Sequence, residues 1–346
     1  MAKKKERYRA AVIGAGSWGI TLASVLYRNG HHVSLWEFDK KQAENLACKR
    51  KFEALEEYRI PKSIVITNSI RDAVDGADFI VISVPSYAIK KVSCKLSAIK
   101  LKSSAIIIST VKGFEPQTLK RPAEVLRDEL GRSAHIVVLS GPSHAEEVIR
   151  KIPTAVVAAS SNKKYRYSVQ SIFSNVNFRV YTSSDLKGVE LGGALKNVIA
   201  IASGISSGLG MGDNTRAALI TRGSVEIARL GIRMGAKRDT FRGLSGVGDL
   251  IVTCFSNHSR NFRFGKLIGE GCGYEEAIQK INTTVEGVNT AKSVHKLAQK
   301  YKVQMPVCNK VYEILFKNKP AASAWKELML RPLKSEDFDV KIRSLK

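Results

Sequence analysis

Ala10-Ala11-Val12-Ile13-Gly14-Ala15-Gly16-Ser17-Trp18-Gly19 decides the fold: an apolar run of strand type passes directly into a Gly-x-Gly-x-x-Gly turn. The stretch from Thr21 to Asn29 that follows has a helical pattern. In such a strand–turn–helix unit Gly14 permits the tight turn and Gly16 lets backbone approach a pyrophosphate. Gly19 lets helix and strand pack closely, which leaves the phosphates at a helix N-terminus. The fingerprint in this context points to a bound dinucleotide. A second run, Val33-Ser34-Leu35-Trp36, ends at Glu37, 23 positions after Gly14, where a carboxylate can accept hydrogen bonds from the adenosine ribose. Phe38 suits either stacking on adenine or capping the sheet edge.

Further short β-branched runs follow at Ile64-Val65-Ile66, Phe79-Ile80-Val81-Ile82, Ala105-Ile106-Ile107-Ile108, Ile136-Val137-Val138-Leu139 and Ala155-Val156-Val157-Ala158. They are apolar at every position, as strands buried on both faces of a parallel sheet should be, and helical stretches such as Ala123 to Leu130 lie between several of them. This alternation predicts an α/β fold with an N-terminal Rossmann-type doubly wound sheet. The last strand-like run is Phe178 to Thr182. Beyond Gly188 the pattern is helical, at Val189–Ile205, Ala217–Leu230, Arg260–Leu267, Tyr274–Lys280, Gly287–Lys300 and Asn309–Phe316. The boundary falls near Lys187. Residues 1–187 form the expected dinucleotide-binding domain, and 188–346 an all-helical catalytic and substrate-binding domain with a mobile basic tail after Pro332.

Composition narrows the class. At 346 residues, 44% hydrophobic and 25% charged, the chain is long enough for two globular domains. No apolar run approaches the ~20 residues that cross a bilayer, and the basic start does not read as a secretory signal. Five scattered cysteines without CxxC spacing indicate neither a disulfide framework nor a metal site, in keeping with a reducing cytoplasm. The net charge of +25 is spread along the chain apart from short clusters such as Lys3-Lys4-Lys5, with no nucleic-acid-binding motif beside it. Such a field suits small anionic substrates better than nucleic acid.

Three successive strand ends carry loop chemistry on the ligand-binding edge: Val84-Pro85-Ser86, Val111-Lys112-Gly113-Phe114 and Ser140-Gly141-Pro142-Ser143-His144-Ala145. That repetition favours Lys112 as a site residue over a solvated charge. In Gly192-Gly193-Ala194-Leu195-Lys196-Asn197, a lysine sits in an apolar helix, where it is costly unless paired or chemically used; a snorkelling structural lysine is the alternative. Gly246-Val247-Gly248-Asp249-Leu250 presents a carboxylate, with Thr253 at i+4 on the same face if helix continues. Ser259-Arg260-Asn261 opens a helix as a phosphate receptor or simply as a cap.

Together with Val285-Glu286-Gly287, these strings resemble, in order and spacing from about Arg9 to Leu330, the bacterial type of NAD-dependent glycerol-3-phosphate dehydrogenase. The resemblance implies reversible reduction of dihydroxyacetone phosphate to sn-glycerol 3-phosphate, a homodimer, and a place in phospholipid precursor supply. Carried over position by position, it makes Lys196 the catalytic lysine. It gives substrate contacts to Lys112, Gly141, Ser143, Asp249, Ser259, Arg260 and Asn261, and dinucleotide contacts to Ser17, Trp18, Phe38, Lys112, Ala145, Arg260, Val285 and Glu286. Asp249 and Asn197 are expected to orient Lys196, and Lys112 and Arg260 to lower its pKa. Many bacterial relatives have no acidic residue after the second-strand Trp; here Glu37-Phe38-Asp39 follows Trp36, which favours NAD, with NADP as the second option. The rival readings are a hydroxyacid or phosphogluconate-type dehydrogenase and a non-catalytic dinucleotide sensor.

Overall fold

The computed structural model describes residues 6–333, 335 and 336. Eight strands form one sheet: β1 (Arg9–Ile13), β2 (His32–Trp36), β3 (Val65–Thr67), β4 (Phe79–Ile82), β5 (Ile106–Ser109), β6 (His135–Ser140), β7 (Thr154–Ala159) and β8 (Phe178–Ser183). Their order is β3-β2-β1-β4-β5-β6-β7-β8. Neighbours run parallel except β6 and β7, which pair antiparallel through Val138–Ala159, Leu139–Ala158 and Ser140–Val157. The doubly wound sheet expected from the sequence is thus parallel at every pairing but one. A strand's own apolar pattern records its burial but not the direction of its partner.

The apolar runs form strands because both of their faces are covered. Val12, Leu35, Val81, Ile108 and Val137 pack on one side with Leu22, Val25 and Leu26 of the helix Ser17–Arg28. Ile13, Ile80, Ile82, Ile107 and Val138 pack on the other with the helices Ile89–Ser97 and Pro122–Leu130. The exceptions are the two edge strands, where Val65 of β3 and Tyr181 of β8 are exposed. A third core, centred on Leu195, Val198, Ile199 and Ile201, belongs to the helices beyond β8.

One 23-residue helix, Leu186–Gly208, ties these cores together. Its first turns place Leu186 and Val189 in the sheet's core, while its remainder forms the axis of the helical half. By length and mean composition this helix would suffice to cross a membrane, but Lys187, Glu190 and Lys196 interrupt its apolar sequence and its apolar stretch is buried inside the fold. Several helices go beyond those read in the sequence, among them Lys40–Lys49, where only Ala43 and Leu46 are buried. Lys163–Phe173, Asp249–Phe255 and Ala321–Met329 are further examples. The Lys3-Lys4-Lys5 cluster, and the basic tail from residue 337 on, lie outside the described residues.

Candidate active site

Strand β1 lies between β2 and β4, so the order reverses there and a crevice opens beyond the strands' carboxyl ends. A cleft of about 320 Å³ occupies that position. The sheet half lines it with residues 16–19, 83–85, 110–112 and 143–146. The helical half contributes Lys196, Asn197, Thr253, His258, Ser259, Arg260, Asn261, Thr284 and Glu286.

The glycine turn fits a pyrophosphate. Gly14 has φ +112°, and a Cβ there would lie 2.3 Å from the Ser83 carbonyl oxygen. At Gly19 it would lie 1.8 Å from the Gly14 oxygen, so strand, turn and helix are in backbone contact. At Gly16, by contrast, a Cβ would meet nothing within 4 Å, and no side chain caps the helix Ser17–Arg28. Open space in front of uncapped helix N–H groups is what an anion needs. Glu37, at the end of β2, is buried and accepts a hydrogen bond from the Asp39 backbone N–H at 3.1 Å. Burial raises its carboxyl pKa, against backbone donors from Asp39, Ala15 and Phe38, so the group faces the glycine turn. Phe38 is 74% exposed on a turn held by the Asn68 amide, which donates to the Glu37 and Phe38 carbonyls at 2.8 and 2.7 Å. Neither Glu37 nor Phe38 lines the cleft.

At the other end of the cleft lies a buried cluster of charge. A Cβ at Gly192 would be 2.4 Å from the Ser245 carbonyl oxygen, and one at Gly193 would be 2.6 Å from Ser140 Oγ. The two glycines thus let the long helix approach both flanking segments, and Lys196 follows one turn later. The π-helical turn Leu244–Gly248 leads into the helix Asp249–Phe255, which brings Asp249 against that lysine. Lys196 Nζ donates to one Asp249 carboxylate oxygen, and to Thr253 Oγ1 at 2.5 Å. Lys112 Nζ donates to the other Asp249 oxygen at 2.5 Å and to the Gly141 carbonyl at 3.2 Å. Thr253 Oγ1 in turn donates to the Asp249 backbone carbonyl at 2.6 Å.

This arrangement sets the proton affinities. Burial lowers the Lys196 pKa to about 8, Asp249 opposes the shift, and the Lys112 charge adds to it. Arg260, expected to contribute, is not among the main causes of the shift. Burial pushes the Asp249 carboxyl up, but the two ammonium groups outweigh it and hold the group below the ordinary carboxylate range. An ammonium of this affinity, touching both solvent-facing cleft and buried carboxylate, can give or take a proton near neutral pH. Asn197 does not orient it: its amide oxygen accepts from Asn261 Nδ2 at 3.0 Å, and Asn261 Oδ1 accepts from the Gly287 N–H at 2.8 Å.

Ser259 caps the helix Arg260–Gly269, its Oγ accepting from Phe262 N–H at 3.2 Å, and also lines the cleft, so the two readings of this segment coexist. Arg260 is exposed at the cleft mouth and donates to the Thr284 carbonyl at 3.3 Å. Ser143 lines the cleft and donates to the Gly141 carbonyl at 2.9 Å; Ala145 starts the helix Ala145–Ile149 beside it. Gly141, Asp249 and Val285 stand behind the lining. Thr253 was visible in the i+4 spacing but was not counted among the site residues. His144, quoted only as part of its strand-end string, and His258, which no motif marked, also line the cleft, with ring centroids 5.7 Å apart.

Comparison with known proteins agrees with this geometry over nearly the full length. The profile of the NAD-dependent glycerol-3-phosphate dehydrogenase N-terminus matches residues 9–166, and that of its C-terminus matches residues 185–326. Glycerol-3-phosphate dehydrogenase [NAD(P)+] of Fusobacterium nucleatum is 50% identical over 330 residues, covering 95% of this chain and 98% of that one. Its counterpart in Thermoanaerobacter sp. is 49% identical over 328 residues, with the same coverage. The crystal structure of glycerol-3-phosphate dehydrogenase from Coxiella burnetii superposes with a TM-score of 0.91 at 38% identity, covering 94% of this chain and 99% of that one. The chain belongs to the NAD-dependent glycerol-3-phosphate dehydrogenase family.

Proposed function

We propose that this chain interconverts dihydroxyacetone phosphate and sn-glycerol 3-phosphate with NAD(P)H, and that Lys196 is the acid–base group. The observation that carries the reading is the Lys196–Asp249–Thr253 cluster, buried yet open to a cleft with a phosphate receptor on one side and a glycine turn on the other. Bound NAD(P)H supplies the hydride. Gly14, Gly16, Ser17, Trp18 and Gly19 hold its pyrophosphate side, with Glu37 and Phe38 at the adenosine end and Lys112, Ala145, Arg260, Val285 and Glu286 along the nicotinamide half. Glu37 supports a preference for NADH over NADPH, because a buried carboxylate repels a 2′-phosphate.

The substrate phosphate lies against Ser259, Arg260 and Asn261, with Ser143 and Gly141 on the opposite wall and Asn197 bracing Asn261 from behind. That grip fixes the ketone oxygen next to Lys196. In reduction the Lys196 ammonium donates a proton to the developing alkoxide; in oxidation the neutral amine accepts it. Asp249 holds Lys196 and Lys112 at fixed positions, and Thr253 takes a second N–H of the Lys196 ammonium, leaving the third for the substrate oxygen. The same reading assigns dinucleotide holding to residues 1–187 and substrate holding to 188–346, with a cytoplasmic homodimer feeding phospholipid synthesis.

The test is oxidation of NADH and NADPH with dihydroxyacetone phosphate, set against hydroxyacid-type keto substrates, in the parent and in Lys196→Met. That substitution keeps most of the stem, so folding and NADH affinity should persist while kcat falls ~10²–10⁴-fold. Turnover within a few-fold of the parent would make Lys196 structural. Preference for a keto acid would favour the rival dehydrogenase reading.

A further inference from the structure

Ser86 opens the short 3-10 turn Ser86–Ala88 immediately after Pro85, at the carboxyl end of β4. It is 1% exposed and does not line the cleft. Glu286, two hundred residues later, does line the cleft and begins the helix Glu286–Lys300 of the other half. The Ser86 backbone N–H donates to Glu286 Oε1 at 3.0 Å, and the Ser86 hydroxyl donates to Oε2 at 2.6 Å. One carboxylate, engaged through both oxygens, thus joins a sheet end to the first turn of a helix in the helical half.

A third segment is built around this clamp. At Gly113, just beyond β5, a Cβ would lie 2.7 Å from Ser86 Cβ, 2.8 Å from Ser86 Oγ and 3.2 Å from Glu286 Oε2. Only a residue without a side chain leaves the clamp room to close. Burial raises the Glu286 pKa, while the two Ser86 donors and the Arg260 charge hold it down. A half-buried carboxylate loses part of its hydration, and the two Ser86 donors replace it.

We propose that Ser86 is a positioning residue for the dinucleotide: by clamping Glu286 it holds the first turn of the helix Glu286–Lys300 as a preformed wall of the cofactor cleft. The proposal rests on the reading that Glu286 contacts the cofactor. Preorganisation of this kind strengthens binding by removing an ordering cost, and it leaves the chemical step untouched. The clamp's contribution therefore appears in cofactor affinity and not in kcat.

The experiment is a double-mutant cycle on the full-length enzyme, with NADH affinity read by fluorescence titration alongside kcat and melting temperature. Ser86→Ala should raise the NADH dissociation constant ~10-fold, the scale of one lost hydrogen bond to a charged group. Its kcat at saturating NADH should stay within about 3-fold of the parent, since no reacting atom is touched. In a Glu286→Ala background the same change should add almost nothing, because its effect passes through that carboxylate. Gly113→Ala, which wedges the clamp open while keeping every donor, should weaken NADH in the same direction. If Ser86→Ala melts too low for assay, Ser86→Cys keeps the bulk with a weaker donor and takes its place.

A weakened Glu286→Ala with unaltered Ser86→Ala overturns the clamp alone. Additive losses in the double variant do the same. If Glu286→Ala binds NADH as the parent does, the assignment of Glu286 to the cofactor has failed, and the clamp's role fails with it.

Discussion

Lys196 shows how far a single residue's environment can be read from sequence. Its place in an apolar helix signalled a perturbed group; its partners Asp249 and Lys112, 53 and 84 positions away, were named through the family resemblance and not by any local pattern. The structure brings them to the lysine, and with them a sign. Since the lysine's pKa is lowered from 10.5 to about 8, it is charged below about pH 8 and neutral above. Reduction, which needs the ammonium, should therefore lose kcat/KM as pH rises through about 8. Oxidation, which needs the free amine, should gain it over the same interval. Removing the neighbouring charge in Lys112→Met should move both inflections upward by about one unit, whatever it does to KM. The measurement is a pair of pH profiles in the two directions; inflections that stay put in Lys112→Met would show that burial and Asp249 set the value without Lys112. Arg260 was expected to lower the Lys196 pKa by its positive charge, and Asn197 to orient the lysine beside it. In the fold one is exposed at the cleft mouth and the other is tied to Asn261.

At the scale of elements, the site depends on how closely two helices approach. Leu186–Gly208 carries Lys196 and Asn197, and Arg260–Gly269 carries Arg260 and Asn261. A Cβ at Gly265 would lie 2.1 Å from the Ile201 carbonyl oxygen, and one at Gly204 would lie 2.1 Å from the Phe262 carbonyl oxygen. The backbones themselves are in contact, so there is no flexible side chain to yield. Gly265→Ala should force the helices apart and cost about 3 kcal/mol or more, at or above the upper end of ordinary overpacking. It should also weaken use of dihydroxyacetone phosphate, because the displaced helix carries the phosphate grip. Chemical denaturation and substrate kinetics on the same variant check both effects; a stable variant with altered KM would place the strain elsewhere. The Gly/Ala richness of the long helix announced close packing, but not its partner. Central strands such as Phe79–Ile82 were legible because every position is buried. The antiparallel turn of the sheet at β7 was not, since it depends on how one strand meets another.

For the whole molecule, the change of pattern near Lys187 coincides with the start of the long helix at Leu186, because a strand-rich half and a helical half bury their apolar residues with different periods. What the sequence left without a structural account was charge: 56 lysines and arginines against 31 aspartates and glutamates, a net +25. The cleft itself is balanced, with Lys112, Lys196 and Arg260 set against Glu146 and Glu286 on its lining and Asp249 behind it, so the excess positive charge lies over the rest of the chain. Both molecules assigned to the cleft are anionic, so a positive field would raise their capture rate and local concentration. Raising ionic strength from about 20 mM to about 0.5 M shortens the screening length from roughly 20 Å to under 5 Å. On that basis kcat/KM for dihydroxyacetone phosphate should fall about 10-fold, mainly through KM, while kcat stays near its low-salt value. Residual turnover of unphosphorylated dihydroxyacetone at saturating NADH should be nearly insensitive, since an uncharged substrate feels no such field. The comparison of the two substrates across a salt series, with melting temperature followed in parallel, isolates the field from any effect on folding. Equal salt dependence for both would separate the charge from substrate capture.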